Sequence, residues 1–332
     1  MSRTVSALLA SALLAAGTAR AEVPRVAADV APVHALVARV MAGLGEPDLI
    51  VPPGASPHDH ALRPSAAQAL QDAALVFWVG PALTPQLADA IGTLAPEAEA
   101  TALLDWPGTL LLPVREDAAF EAHDHAGDHD HDHDRDADHD DDHEHEHGSD
   151  AHAASSDPGH HESGIDPHAW LSPVNAALWL DVVAARLSEA DPANAAAYAV
   201  NAAEGRAEID ALKAEIDALL APARGARFVV FHDAYQYFEE AFDLPASGAI
   251  SLSDATPPSP VRIAEIRDRI AEAGVGCVLA EPQFDPRLVA TVMDGTKART
   301  GTLDPLGAGL EPGAGLYPAL MRGLAETLAD CL

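Results

Sequence analysis

Three isolated histidines, His58, His168 and His232, sit where apolar runs give way to loops rich in Gly, Pro and Asp, and Glu281 and Asp304 occupy the same kind of position. Imidazole nitrogen and carboxylate oxygen are both ligands for divalent first-row metals, so these side chains could together hold an ion. From spacing alone each also has an ordinary structural account. His60 can face solvent, Glu281 can pair with a cation, and Asp304 can cap a helix or close a turn.

A second group of histidines is denser. Between Glu116 and Glu162 twelve histidines are interleaved with acids, as in His129-Asp-His131-Asp-His133 and His143-Glu-His145-Glu-His147. The segment's 18 acidic residues against the single Arg135 carry about half of the chain's formal net charge of -33. With almost no apolar side chain to bury, it is expected to be a solvated, mobile insertion over about 116 to 162. Alternate residues of an extended chain point to one side about 6 to 7 Å apart, within reach of one ion. His129, His131, His133, His143, His145 and His147 are therefore expected to give weak auxiliary metal binding. The match of His143 to His147 to the H-E-x-x-H pattern of zinc hydrolases lacks the apolar helix face that would hold two histidines in register, and it is read as an accident of composition.

The elements that must position the single histidines alternate between strand and helix. Arg25–Val30, Asp48–Val51 and Ala74–Val79 read as buried strands, with helices over Val33–Gly43 and from a Ser65 cap through Ala73. Past the insertion, Pro173–Ala190 reads as a helix. Asp191-Pro192 then opens one long amphipathic helix that carries Ile209, Leu212, Ile216 and Leu219 and ends near Pro222. Phe228–Phe231 and Gly276–Ala280 continue the alternation as strands, with Val261–Ala273 as a helix, and Gly301–Leu303 leads into Asp304. The fold expected is α/β: two lobes with parallel sheets joined by one long rigid helix, with a metal site in the cleft between them. The boundaries expected are an N-terminal lobe over 22–190, a linker helix over 191–222 and a C-terminal lobe over 223–332.

Arg3, the apolar run Val5–Ala16 and Ala19-Arg-Ala21 read as a signal peptide over 1–21. No later stretch is apolar for ~20 residues, so the mature chain is expected not to span a membrane. Neither half offers a basic face, which argues against nucleic acid as a partner. An exported chain of this kind belongs in a Gram-negative periplasm, where Cys277 and Cys331, the only two cysteines, are expected to pair as a disulfide.

Five segments, Gly54-Ala-Ser-Pro-His-Asp-His-Ala-Leu-Arg-Pro-Ser65, Asp166-Pro-His-Ala-Trp-Leu-Ser-Pro173, Val230-Phe-His-Asp-Ala-Tyr235, Ala280-Glu-Pro-Gln-Phe284 and Gly301-Thr-Leu-Asp-Pro-Leu306, resemble in content and order the motifs of the ZnuA-type zinc-binding proteins of bacterial ABC importers. The resemblance covers nearly the whole mature chain and includes the histidine-rich loop. It implies His58, His168 and His232 as metal ligands with Asp304 or water as the fourth. It also implies a monomeric, non-enzymatic carrier that delivers Zn2+ to an ABC permease membrane subunit. Some zinc-binding members carry glutamate immediately before the first histidine, where this chain has Pro57. Asp304 stands where manganese-binding relatives supply a carboxylate. Three neutral imidazoles favour zinc over manganese, which takes more oxygen ligands. The alternatives are a manganese carrier of the same family and a zinc-dependent hydrolase.

A flexible segment must be ordered by the ion it binds, at about 1 to 2 kcal/mol per backbone residue, whereas a folded site is ordered beforehand. Deleting residues 117 to 161 is therefore expected to leave one tight zinc-binding event and remove only weak ones. Calorimetric titration checks this, and loss of the tight event with survival of the weak ones would reverse the roles.

Overall fold

Residues of the buried strands alternate between two apolar environments, and that alternation generates the layering. The computed structural model describes residues 23–58, 61–115, 164–251 and 259–332. The residues read as a signal peptide, His60 and the histidine-rich stretch lie outside the described residues. In order come β1 (Val26–Ala28), α1 (Ala31–Val40), β2 (Asp48–Leu49), α2 (Pro64–Asp72), β3 (Leu75–Trp78), α3 (Pro85–Leu94) and β4 (Glu99–Ala102). After the insertion come α4 (Pro173–Ala190), α5 (Ala195–Leu220), β5 (Phe228–His232), α6 (Gln236–Phe242), β6 (Ala249–Ser251), α7 (Pro260–Ala273), β7 (Cys277–Ala280), α8 (Pro286–Met293), β8 (Arg299–Thr302) and α9 (Leu316–Cys331).

The strands form two four-stranded parallel sheets of like order, β2-β1-β3-β4 and β6-β5-β7-β8. Because successive side chains point to opposite faces, Val26, Ala28, Leu75 and Phe77 of the first sheet enter one large core, as do Phe228, Val230, Cys277 and Leu279 of the second. Helices α1, α4, α5 and α9 contribute Val37, Trp179, Leu212 and Leu324 to that same core, so it runs continuously between the sheets. The opposite strand faces are covered separately. Ala27, Val76 and Trp78 pack with Leu70 and Ile91 of α2 and α3, and Val229, Phe231 and Val278 pack with Ile266, Ile270 and Val292 of α7 and α8. Strands buried on both faces are the reason these segments are near-continuously apolar in sequence. The α/β fold and parallel sheets expected from the alternation are present.

Several local expectations are corrected. Ser65 does not cap α2, which begins at Pro64 with Arg63 at the N-cap position. Asp191-Pro192 does not open the long helix. Asp191 ends α4, and its Oδ2 accepts from Asn194 Nδ2 and Tyr198 Oη, so the chain turns before α5 starts at Ala195. At 26 residues α5 is about 39 Å long, shorter than a helix unbroken from Pro192 would be. Gly205 within it has a reason: a Cβ there would stand 2.9 Å from Leu180 Cδ1, so its absence lets α5 lie close against α4.

Cys277 on β7 and Cys331 at the end of α9 are disulfide-bonded, with Cα atoms 5.8 Å apart. The bond closes a loop of sequence separation 54 and ties α9 to the second sheet. Loop-closure entropy for that length gives a stabilisation of about 4 kcal/mol. Urea unfolding with and without reductant is expected to show a lower midpoint for the reduced protein, and the oxidised native protein should offer no alkylatable thiol.

Candidate metal centre

The three single histidines come from different parts of the fold and meet. His58 lies on the loop after β2, His168 opens the short turn of 3-10 helix that leads into α4, and His232 is the last residue of β5. The ring centroids of His168 and His58 are 5.8 Å apart, and those of His168 and His232 are 5.3 Å apart. Zinc binds imidazole nitrogen at about 2.0–2.1 Å, so two imidazoles on one tetrahedral ion place their ring centroids about 5.2 Å apart. The observed spacings are close to that value. All three rings line a cavity of about 10 Å³, room for about one water-sized body, together with Glu281, Gln283 and Phe284. Among the described residues no group of three or more His, Cys, Asp or Glu stands close enough together to hold a metal ion without side-chain movement. What stands ready is the ring spacing.

Two rings are oriented by the same device. Asp166 Oδ1 accepts from the backbone N–H of His168 at 2.9 Å and lies 2.7 Å from its Nδ1. Glu281 Oε1 accepts from the backbone N–H of His232 at 3.2 Å and lies 2.6 Å from its Nδ1. A carboxylate that takes the Nδ1–H fixes the tautomer and leaves Nε2 as the ligand atom. His168, His232 and both carboxylates are buried. Burial pushes the Asp166 carboxyl up to about 7 despite its hydrogen bond to the His168 backbone.

The segments that carry these residues are held in turn. Tyr237 on α6 donates to the Asp166 carbonyl at 2.9 Å and accepts from Leu112 N–H, also at 2.9 Å. Arg115 bridges Asp233, the neighbour of His232, and Glu239 on α6. Burial opposes its charge, yet Glu239 and Asp233 hold its pKa above the ordinary arginine value. Trp170 Nε1 donates to the Pro305 carbonyl at 2.8 Å, and Tyr317 on α9 donates to the Trp170 carbonyl at 3.0 Å. The segment carrying His168 is thus tied to the second half of the chain on both sides.

Asp304 is placed differently from the histidines. Its Oδ1 accepts from Leu306 and Gly307 N–H, each at 3.0 Å, its Oδ2 accepts from Ala308 N–H, and it is absent from the cavity wall. His34 on α1 lies outside the site, buried with Nε2 3.0 Å from the Pro47 carbonyl. Asp166 had no assigned role in sequence, although an acid two residues before a loop histidine is the spacing that reaches both its backbone N–H and its Nδ1. Glu281 could be placed against His232 only once β7 was known to lie beside β5.

Two parallel sheets on a shared helical layer, with imidazoles from both halves at one small cavity, define a two-lobed α/β protein with a donor cluster in the cleft. The profile of the ZnuA family, described as "Zinc-uptake complex component A periplasmic", matches residues 26–331, and the chain belongs to that family. It is 49% identical over 334 residues to the High-affinity zinc uptake system protein ZnuA of Paracoccus denitrificans (strain Pd 1222), covering 100% of this chain and 99% of that protein. Identity to the protein of the same name from Brucella abortus (strain 2308) is 47%, covering 98% of both chains. Among solved structures, a ZnuA crystal structure superposes with TM-score 0.70 at 19% identity, over 93% of this chain and 98% of that one. FpvC of Pseudomonas aeruginosa in complex with Mn2+ superposes with TM-score 0.72 at 20% identity, over 93% and 98%. At such identities these structures speak to the fold.

Outer partners that orient metal-binding histidines contribute about 10- to 100-fold in affinity. Asp166→Ala and Glu281→Ala are each expected to weaken zinc binding by that much without changing its stoichiometry, as read by competition with a chromophoric chelator.

Proposed function

We propose that this chain captures zinc in the periplasm and hands it to the membrane permease of an ABC importer, acting as a monomeric carrier and not as an enzyme. The observation that carries the reading is the spacing of His58, His168 and His232 around a cavity with room for one ion. Those three imidazoles are the ligands, with Asp304 or water in the fourth position. The set is neutral and rich in nitrogen, which suits zinc, whereas manganese takes more oxygen ligands. A hydrolase would turn over an ester or peptide, whereas a carrier shows only stoichiometric zinc binding. The names of the relatives, high-affinity zinc uptake proteins, support the same reading.

In this account residues 1–21 are the export signal. Residues 22–190 and 223–332 are the two lobes, and 191–222 is the segment that joins them. Among the described residues no helix is long and apolar enough to cross a membrane, in keeping with a carrier that docks to its permease. The histidine-rich insertion supplies the weak auxiliary sites.

Removing one imidazole leaves the ion under-coordinated. In protein lacking the insertion, His58→Ala, His168→Ala and His232→Ala are each expected to lose zinc affinity by orders of magnitude, with manganese binding weaker than zinc in the parent. Competition titrations check this, and unchanged affinity in all three variants would place the site elsewhere.

A further inference from the structure

Gln283 is the polar residue at the cavity whose purpose the three-histidine reading leaves open. It follows β7 by three residues and lines the cavity with the histidines. Its Nε2 donates to Asp304 Oδ1 at 3.1 Å, and its Oε1 is buried without a hydrogen-bond partner. The orientation of the amide is fixed chemically. Asp304 gathers N–H groups from Leu306, Gly307 and Ala308, so its carboxylate is an acceptor and only the NH2 end of Gln283 can face it. The carbonyl oxygen is left on the other side of the amide. A buried amide oxygen without a donor is unfavourable, and an empty apolar contact would do nothing to relieve it.

Resting on the three-histidine reading, we propose that Gln283 determines the fourth position of the ion: its Oε1 accepts a hydrogen bond from a zinc-bound water, while its Nε2 keeps Asp304 in its turn and out of the coordination sphere. The chemistry of the groups favours this division. Zinc takes nitrogen, thiolate or carboxylate ligands readily, and three histidines with one water is a regular composition for it. A neutral amide oxygen suits the second role, as acceptor for the polarised water. Asp304 would have to surrender its backbone N–H groups to reach the ion, and Gln283 adds a further bond that opposes this. The position held by a carboxylate in an oxygen-rich site thus becomes a water position, which favours zinc over manganese.

The test uses cobalt(II) in place of zinc in the mature protein lacking residues 117 to 161. Electron–nuclear double resonance in deuterated buffer is expected to show three strongly coupled histidine nitrogens together with strongly coupled exchangeable deuterons from a water ligand. Gln283→Leu is expected to bind zinc at 1:1 about 10-fold more weakly, with a shifted cobalt(II) visible spectrum and an unchanged Tm of the metal-free protein. Absence of strongly coupled exchangeable deuterons would mean no water in the fourth position and overturn the proposal, as would parental affinity and spectrum in a folded Gln283→Leu protein. Should that variant fail to fold, Gln283→Met, of similar length and without the amide, is read by the same affinity and spectrum with the same expectations. Fewer than three coupled nitrogens would instead overturn the histidine site on which the proposal rests.

Discussion

An imidazole holds a metal ion only when the ring is neutral and one nitrogen is turned toward the ion, and both conditions are set by what the other nitrogen touches. In this protein His168 and His232 satisfy them in the same way. A single carboxylate oxygen, from Asp166 or Glu281, receives both the backbone N–H and the Nδ1 of its histidine, which fixes position and rotation at once. The arrangement requires burying two carboxylates, and the elevation of Asp166 to about 7 reflects that cost. The surrounding structure supplies what offsets it: Tyr237 positions the backbone of Asp166, and the parallel register of β5 with β7, Val230 opposite Leu279, brings Glu281 beside His232.

The histidines come from both halves of the chain, so the halves must be held in register. The core that runs from the first sheet through α1, α4, α5 and α9 to the second sheet does this. Trp179, Tyr198 and Leu220 are fully buried in it. Separating the sheets would expose such side chains at about 25 cal/mol per Å² of apolar surface. Arg115 adds geometry, since a guanidinium that bridges Asp233 and Glu239 fixes the direction of approach. A buried pair of this kind is weak evidence for stability, because removing the groups from water offsets much of the attraction.

Much of this was legible in the sequence because it rests on local pattern. Strands buried on both faces read as short apolar runs, and those around Val26, Leu75, Phe228 and Cys277 were recoverable with their parallel arrangement. The span of α4, Pro173–Ala190, was fixed by proline at one end and Asp191 at the other. The start of α5 was not, because Asp-Pro reads as a helix opening, and only the capture of Asp191 by Asn194 and Tyr198 makes it a helix end. At the site, the histidines stood out by residue type and by motif. The carboxylate that orients His232 lies 49 residues away in sequence, and the pairing of Gln283 with Asp304 spans 21, so neither follows from spacing.

The two sheets have the same strand order, yet they use corresponding positions differently. In the second, β5 ends in His232 and Glu281 follows β7, so donor and orienting carboxylate flank the point where the strand order reverses, where open α/β sheets place ligands. In the first, Asp29 follows β1, fully buried, and its two oxygens accept from the N–H groups of Val30 and Val79, each at 2.8 Å. Burial raises its carboxyl to about 7. That side chain closes the corresponding point of the first sheet from within, and the imidazoles of the first half come from elsewhere: His58 from the loop after β2 and His168 from the turn before α4. The consequence is an asymmetric centre. His168 and His232 are buried and pinned by carboxylates, whereas His58 is half-buried on a loop punctuated by glycine and proline. His58 is thus the one of the three carried by a loop, whereas His168 and His232 sit in segments whose neighbours Trp170 and Val230 belong to the shared core.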